Sequence, residues 1–294
     1  MCCFQNFTGG FVMVKWTEAE KARKNFKQRT PEQRADDDTV RAKKKLGQHF
    51  LKNETIAQKI VDSLTRTSEY KHVLEVGPGM GVLTKYLIQQ TAYETHVIDI
   101  DKESIAYLKQ HFPSLTNNII DGDFLKLDLD QLFNHEAFAV IGNFPYNIST
   151  EILFKVLDHK DQVPVVVGMF QKEVAERIAA QPKNKTYGIT SVLLQAFYDI
   201  DYLFTVGENE FNPPPRVKSA VIRLNRNTVA KLGCNEKLFK QIVKAGFNQR
   251  RKTLRNSIKA FKLKPEFADH KYLTQRAEEL SVADFITLTN MCEA

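Results

Sequence analysis

Long hydrophobic runs are missing from this 294-residue sequence. The richest apolar stretch, Val163 to Phe170, falls far short of the roughly 20 residues a bilayer-spanning helix needs, so no membrane partner is expected. Cysteine is scarce. Cys2, Cys3, Cys234 and Cys292 form no C-x-x-C pair, and none has a histidine spaced to share an ion. This excludes a disulfide scaffold or a finger-type site, suits a reducing compartment, and leaves no metal expected. The first residues lack the basic start and apolar core of a secretory leader, so a cytoplasmic location is expected. Internal repeats are absent too, which excludes a solenoid or propeller.

What remains is a chain with 43% hydrophobic residues, enough for a real core, and a formal charge of +7, which favours polyanionic partners. Residues 15 to 45 are mostly polar and end in the basic cluster Arg41, Lys43, Lys44 and Lys45, with Trp16 as a large anchor. They read as an arm, and residues 1–42 as a flexible extension with Met13 as an alternative start. After Asn53, a suitable N-cap, Ile56, Ile60, Val61 and Leu64 share one helical face.

Strand-like runs then recur at His72–Val76, Thr95–Ile100, Asn118–Ile120, Phe138–Ile141 and Val163–Met169, separated by helix-compatible stretches. That alternation predicts a mostly parallel sheet covered on both faces. Two further runs, Tyr202–Val206 and Ser219–Leu224, flank a proline-rich turn at Pro213 to Pro215 and suit an antiparallel pair at the sheet edge. Beyond about Asn227 the composition changes, and every charged residue from 237 to 264 is Lys or Arg. A basic helical appendage over 228–294 follows, closed by a helix from Leu280 to Asn290 with Ser281 as its cap and Asp284 three residues on.

The stretch from Glu75 to Gly81 sits between a predicted strand and a helical pattern, where Gly77 and Gly79 let the backbone turn sharply and approach a ligand. Val82 stands where a dinucleotide fingerprint needs Gly or Ala, and no P-loop lysine follows. The next strands end near Asp99 and near Asp123. Acids at successive strand ends suit a nucleoside, whose ribose hydroxyls donate to a carboxylate. Asp101, one step past a strand end, reads more readily as a helix cap and ranks below Asp99.

The fourth strand runs into Asn143-Phe144-Pro145-Tyr146 beside the same crevice. An adenine amine is a poor nucleophile because its lone pair is delocalised into the ring, and acceptors aimed at its N–H groups favour the reactive geometry. Asn143 offers a side-chain oxygen, the Pro145 turn a carbonyl and Tyr146 a stacking face. In isolation the same four residues also fit a plain turn.

Together these pieces resemble the S-adenosylmethionine-dependent small-subunit rRNA adenine dimethyltransferases of the KsgA type. The likeness runs from about Lys44 to Ser281 and rests on Leu46 to Leu51, Glu75 to Gly81, Asn143 to Thr150, Gln171 to Val174, Phe211 to Val221 and Phe247 to Asn256. The resemblance implies a Rossmann-like class I methyltransferase domain over 43–227, seven mostly parallel strands with one antiparallel edge, followed by an RNA-binding domain over 228–294. It implies that S-adenosylmethionine binds at Gln48, His49, Leu51, Glu75, Gly77, Gly79, Asp99, Asp123 and Asn143. It further implies that Asn143 and the Pro145 carbonyl position the target amine, and that Tyr146 and Phe211 sandwich the target base. Arg250, Arg251, Lys252 and Arg255 would hold RNA.

The implied activity is dimethylation of two adjacent adenines in the 3′-terminal stem-loop of small-subunit rRNA, on an immature subunit, by a monomer. Asp99 stands where the family usually has the longer Glu, and the arm before Lys43 is longer than the family needs. Rival readings are an assembly factor with secondary methylation, and an enzyme acting on large-subunit rRNA or DNA. The basic tail and the Phe211 to Val221 segment favour the small subunit.

Overall fold

The computed structural model describes residues 3–5, 11–13, 17 and 40–293. The expected flexible extension over 1–42 lies almost wholly outside these residues. Within it, β1 (Cys3–Gln5) pairs antiparallel with β2 (Phe11–Met13).

The chain next makes a short strand, β3 (Phe50–Leu51), and α1 (Glu54–Asp62), whose N-cap Asn53 accepts the Ile56 N–H at 3.1 Å. Ala57, Ile60 and Val61 on one face of α1 are buried. The central sheet follows as β4 (His72–Val76), β5 (Glu94–Asp99), β6 (Ile119–Asp121), β7 (Phe138–Asn143), β8 (Val165–Gln171), β9 (Tyr198–Val206) and β11 (Ser219–Arg226). A two-residue strand, β10 (Phe211–Asn212), lies outside it and pairs with β3.

The order across the sheet is β6-β5-β4-β7-β8-β11-β9. β4 to β8 pair in parallel, and β11 runs antiparallel to both β8 and β9. The antiparallel strand therefore sits one place in from the edge, and the edge strand β9 runs with the others. Apolar residues dominate β7 and β8, where nearly every residue is buried, as strands covered on both faces require.

Helices α2 (Thr84–Leu87), α3 (Lys102–His111), α4 (Leu129–Leu132), α5 (Ser149–Asp158), α6 (Lys172–Ala179) and α7 (Ile189–Gln195) connect the strands. The C-terminal part adds α8 (Glu236–Asn248), α9 (Leu254–Ser257) and α10 (Val282–Asn290). Ser281 and Asp284 close α10 with a reciprocal capping box, as the sequence pattern anticipates. The chain turns from sheet to appendage near residue 227, yet one apolar cluster crosses that boundary. Phe239, Ile242 and Phe285 belong to the same cluster as Leu193 and Phe197. No helix among the described residues is long and apolar enough to cross a membrane.

Candidate active site

Strand order reverses between β4 and β7, and in an open parallel sheet that is where loops diverge and leave a crevice at the carboxyl ends. Gly77 and Gly79 follow β4, Asp99 ends β5, Asp123 follows β6 and Asn143 ends β7. All five line one cleft, together with Gln48, His49, Pro145 and Tyr146.

The loop after β4 needs its glycines. Gly77 and Gly79 have φ of +71° and +57°, a region other residues enter at a cost. A Cβ on Gly79 would also stand 2.7 Å from the Phe50 ring. Asp99 accepts the Asp101 N–H at 2.8 Å and the Gly79 N–H at 3.4 Å. Burial nevertheless dominates and pushes its carboxyl up to about 6. Beside it the Ile100 side chain is 54% exposed, an apolar surface bordering the cleft.

Asp101 caps α3, as the plainer reading holds, by accepting the Glu103 N–H at 3.1 Å. The same carboxylate fastens the segment Lys43 to Leu51 over the crevice. Lys43 Nζ pairs with it, and Gln48 Nε2 donates to its Oδ2 at 3.1 Å. Gln48 Oε1 in turn accepts the Lys43 N–H at 2.8 Å, so both ends of the Gln48 amide hold the strap. The far end of the strap is zipped to β10 through Phe211↔Leu51 and Asn212↔Phe50.

Asn143 is the best-defined polar group of the cleft. Its Nδ2 donates to the His49 carbonyl at 2.8 Å, and that donation assigns the other amide atom, Oδ1, as an acceptor. The Pro145 carbonyl accepts the Ile148 N–H at 3.1 Å, which stiffens the turn and leaves its second lone pair. Tyr146 is held by a 2.5 Å contact between its hydroxyl and Ser219 Oγ, and His49 stacks on it with centroids 5.4 Å apart at 26°. His49 is anchored through Nδ1 to the Pro213 carbonyl at 2.8 Å.

Three residues named from the sequence stand apart from this cleft. Phe211 is only 1% exposed, because alternation along β10 turns it inward and Asn212 outward. The ring facing Tyr146 is that of His49. Leu51 is buried beside Phe211 in the same apolar cluster. Glu75 borders an adjoining cleft, where Thr84 Oγ1 lies 2.6 Å from its carboxylate. Asp123 reaches the main cleft, but its Oδ1 also caps Leu125 N–H at 3.0 Å.

Sequence reasoning passed over Ile100, Leu125, Asn147 and Ile148 as cleft walls. The one available signal was Ile100, an apolar residue between two acids.

Full burial pushes the Glu75 carboxyl up to about 8, so it is protonated in the folded state across neutral pH, against an ordinary value of 4.5. Folding therefore takes up a proton, and Glu75 destabilises the fold increasingly as pH rises from about 4.5 to about 8. Glu75→Gln keeps the shape without the charge. Its stability relative to the parent is expected to improve steadily across that interval, measured as urea midpoints at pH 5 and pH 8.

Arg250, Arg251 and Lys252 lie in the turn between α8 and α9, and Arg255 lies on α9 itself. Arg251, Lys252 and Arg255 are exposed. Arg250 is half-buried and turns back on the protein, donating to the Lys185 carbonyl and standing 3.4 Å from Glu278. Arg255 reaches Asp269 at 3.4 Å.

Residues 39–293 match the family model described as ribosomal RNA adenine dimethylase. Ribosomal RNA small subunit methyltransferase A of Cytophaga hutchinsonii is 63% identical over 252 residues, covering 86% of this chain and 97% of its own. The protein of that name from Phocaeicola vulgatus is 57% identical over 257 residues, covering 87% and 91%. Among solved structures, a dimethyladenosine transferase from Plasmodium falciparum superposes with a TM-score of 0.66 at 24% identity, covering 83% of this chain and 99% of its own. The 23S rRNA methyltransferase ErmE gives 0.61 at 20%, covering 82% and 99%. The last two likenesses concern the fold alone.

Proposed function

The chain belongs to the ribosomal RNA adenine dimethylase family, and from that premise we propose how its cleft works and on what. The protein is an S-adenosylmethionine-dependent rRNA adenine dimethyltransferase acting on small-subunit rRNA. Its targets are two adjacent adenines in the 3′-terminal stem-loop, presented on an immature subunit in the cytoplasm, and it acts as a monomer. A loop-borne adenine suits this cleft, because sequence-specific RNA recognition uses unstacked bases.

The cleft fits the methyl donor. Asp99 is a buried carboxyl group placed at a strand end where ribose hydroxyls can donate to it, and the positive-φ glycines admit a ligand close to the backbone. Asp123 accepts from the adenine amine, the apolar Ile100 and Leu125 flank the ring, and the strap bearing Gln48 and His49 covers the methionine end. Leu51 and Glu75 act from behind, Leu51 by seating the strap and Glu75 by holding α2 under the glycine loop. Bound S-adenosylmethionine supplies an electrophilic methyl group on its sulfonium.

The chain's own part is to present the nucleophile. Asn143 Oδ1 and the Pro145 carbonyl accept the two N–H groups of the target amine, turning its lone pair out of conjugation with the ring. Tyr146 provides the stacking face, and the base takes the place His49 holds against it. Phe211 completes a sandwich only after its ring turns out from beneath the strap. Arg251, Lys252 and Arg255 of the helical appendage contact phosphates, and Arg250 orders the turn that carries Arg251 and Lys252. The observation that carries the reading is the Asn143 amide, whose nitrogen is committed to His49 and whose oxygen is thereby an acceptor in the cleft.

Ribose hydroxyls bind the ionised form of Asp99, whose carboxyl lies up at about 6. Affinity for S-adenosylmethionine is therefore expected to be full above that value and to weaken about tenfold per unit below it. Asp99→Asn should bind weakly at every pH with no such slope, as titration calorimetry will read. The target class is tested by offering separated small and large subunits with methyl-labelled donor. Label confined to small-subunit rRNA supports the reading, and label entering only large-subunit rRNA or DNA overturns it.

A further inference from the structure

At the opposite end of the sheet from the methyl-transfer cleft, β4 and β5 begin side by side in parallel register, His72 against Glu94 and Leu74 against His96. That register puts His72, Glu94 and His96 on one face of the sheet. Their donor atoms converge. His72 Nδ1 lies 3.2 Å from His96 Nε2, and Glu94 Oε2 lies 3.5 Å from each of those nitrogens.

The three atoms thus form a nearly equilateral triangle. Ligands about 2.0–2.1 Å from a tetrahedral zinc ion stand about 3.3 Å apart, so this triangle has the size of one face of such a site.

The surroundings orient each donor. Glu136 Oε2 stands 3.3 Å from His72 Nε2, which places the ring proton there and leaves Nδ1 to bind. Lys71 holds Glu136 from the other side, 2.8 Å from its Oε1. Asn118 Nδ2 donates to Glu94 Oε1 at 2.9 Å, which turns Oε2 toward the two histidines. Phe133 floors the group, stacked on His72 at 4.4 Å and 5°, with His96 at 4.7 Å. A carboxylate accepting from the far nitrogen of a metal-bound histidine is the usual outer support of zinc ligands.

We propose that His72, His96 and Glu94 bind one borderline divalent cation, zinc foremost, with water as fourth ligand and Glu136 and Asn118 as the supporting shell. Two imidazoles and one carboxylate suit zinc better than the hard cations that prefer oxygen alone. The ion would pin β4 to β5 at their starts, and through them the glycine loop and Asp99 at their ends. It would take no part in methyl transfer.

The test is equilibrium competition of zinc chloride between a chromophoric chelator and the full-length, chelator-stripped protein, paired with thermal melts. One zinc per chain and a raised melting temperature are expected. Both should be lost in the His72→Gln, His96→Gln double variant, while Glu136→Gln, which touches no donor atom, should weaken binding about 10- to 100-fold. Cobalt substitution should give the intense visible absorption of a tetrahedral site. Absence of stoichiometric binding overturns the proposal. So does binding that survives the double variant, which assigns the ion to other donors such as the cysteines. Failure of methyltransferase activity in the parent would leave these readouts untouched.

Discussion

Asn143→Ala is expected to reduce the rate of methyl transfer by about 10²–10³-fold, the usual cost of removing one preorganised polar group from a reacting centre. The effect belongs in kcat. The substitution removes an acceptor that acts on the amine as its lone pair is freed, while the stacking face of Tyr146, the carboxylate of Asp99 and the basic tail remain. Binding of RNA and of S-adenosylmethionine should change only modestly, through loss of the 2.8 Å tie to His49 that steadies the strap.

Asn143→Asp separates the two roles of this side chain. A carboxylate still accepts, but it cannot donate to the His49 carbonyl, so the strap should loosen and the donor bind less tightly. Single-turnover rates alongside binding isotherms distinguish these cases. Equal loss of rate in both variants with unchanged affinities would deny the tie its role.

Phe144→Ala should produce the largest loss of stability, about 3–5 kcal/mol, as expected for a fully buried ring. Phe144 is 1% exposed and stands edge-on to Phe170 with centroids 5.2 Å apart. It fits over two glycines of neighbouring strands. A Cβ on Gly168 would lie 2.4 Å from its ring, and one on Gly142 would lie 2.8 Å from it and 2.5 Å from the Val76 carbonyl.

The ring is therefore a wedge that seats the turn between Asn143 and Pro145. Its loss should lower turnover beyond what partial unfolding explains. Gly168→Ala is the milder companion. Overpacking there should cost about 1–3 kcal/mol and lower kcat, although the residue meets neither RNA nor cofactor. Chemical denaturation and steady-state rates at a temperature where the variants stay folded will measure both.

These expectations draw unequally on sequence and structure. The glycine loop, Asp99 and the Asn143 turn are legible because each is a short contiguous run at the end of a strand, and strand ends are what periodicity marks. Their convergence follows from parallel order, which alternating strands and helices already imply.

Other features depend on tertiary pairing that no local pattern encodes. The placement of β11 between β8 and β9 inverts chain order. The fastening of the strap joins Lys43 and Gln48 to Asp101, which the sequence offered only as a cap or a ribose ligand. Phe211 stands in a conspicuous motif, yet the two-residue pairing with Leu51 buries it. His72 and His96 lie on neighbouring strands with a helix between them, so their spacing resembles no ligand motif, and only the parallel register brings their nitrogens together.

The most direct test of the central claim is the identity and position of the product nucleoside. Purified protein, methyl-labelled S-adenosylmethionine and under-methylated small subunits are combined, the rRNA is digested, and labelled nucleosides are identified by mass and mapped. N6,N6-dimethyladenosine at two adjacent positions of the 3′-terminal stem-loop, absent with Asn143→Ala, is the expected result. Tight subunit binding with no methyl transfer by the parent protein would contradict the account and favour an assembly factor.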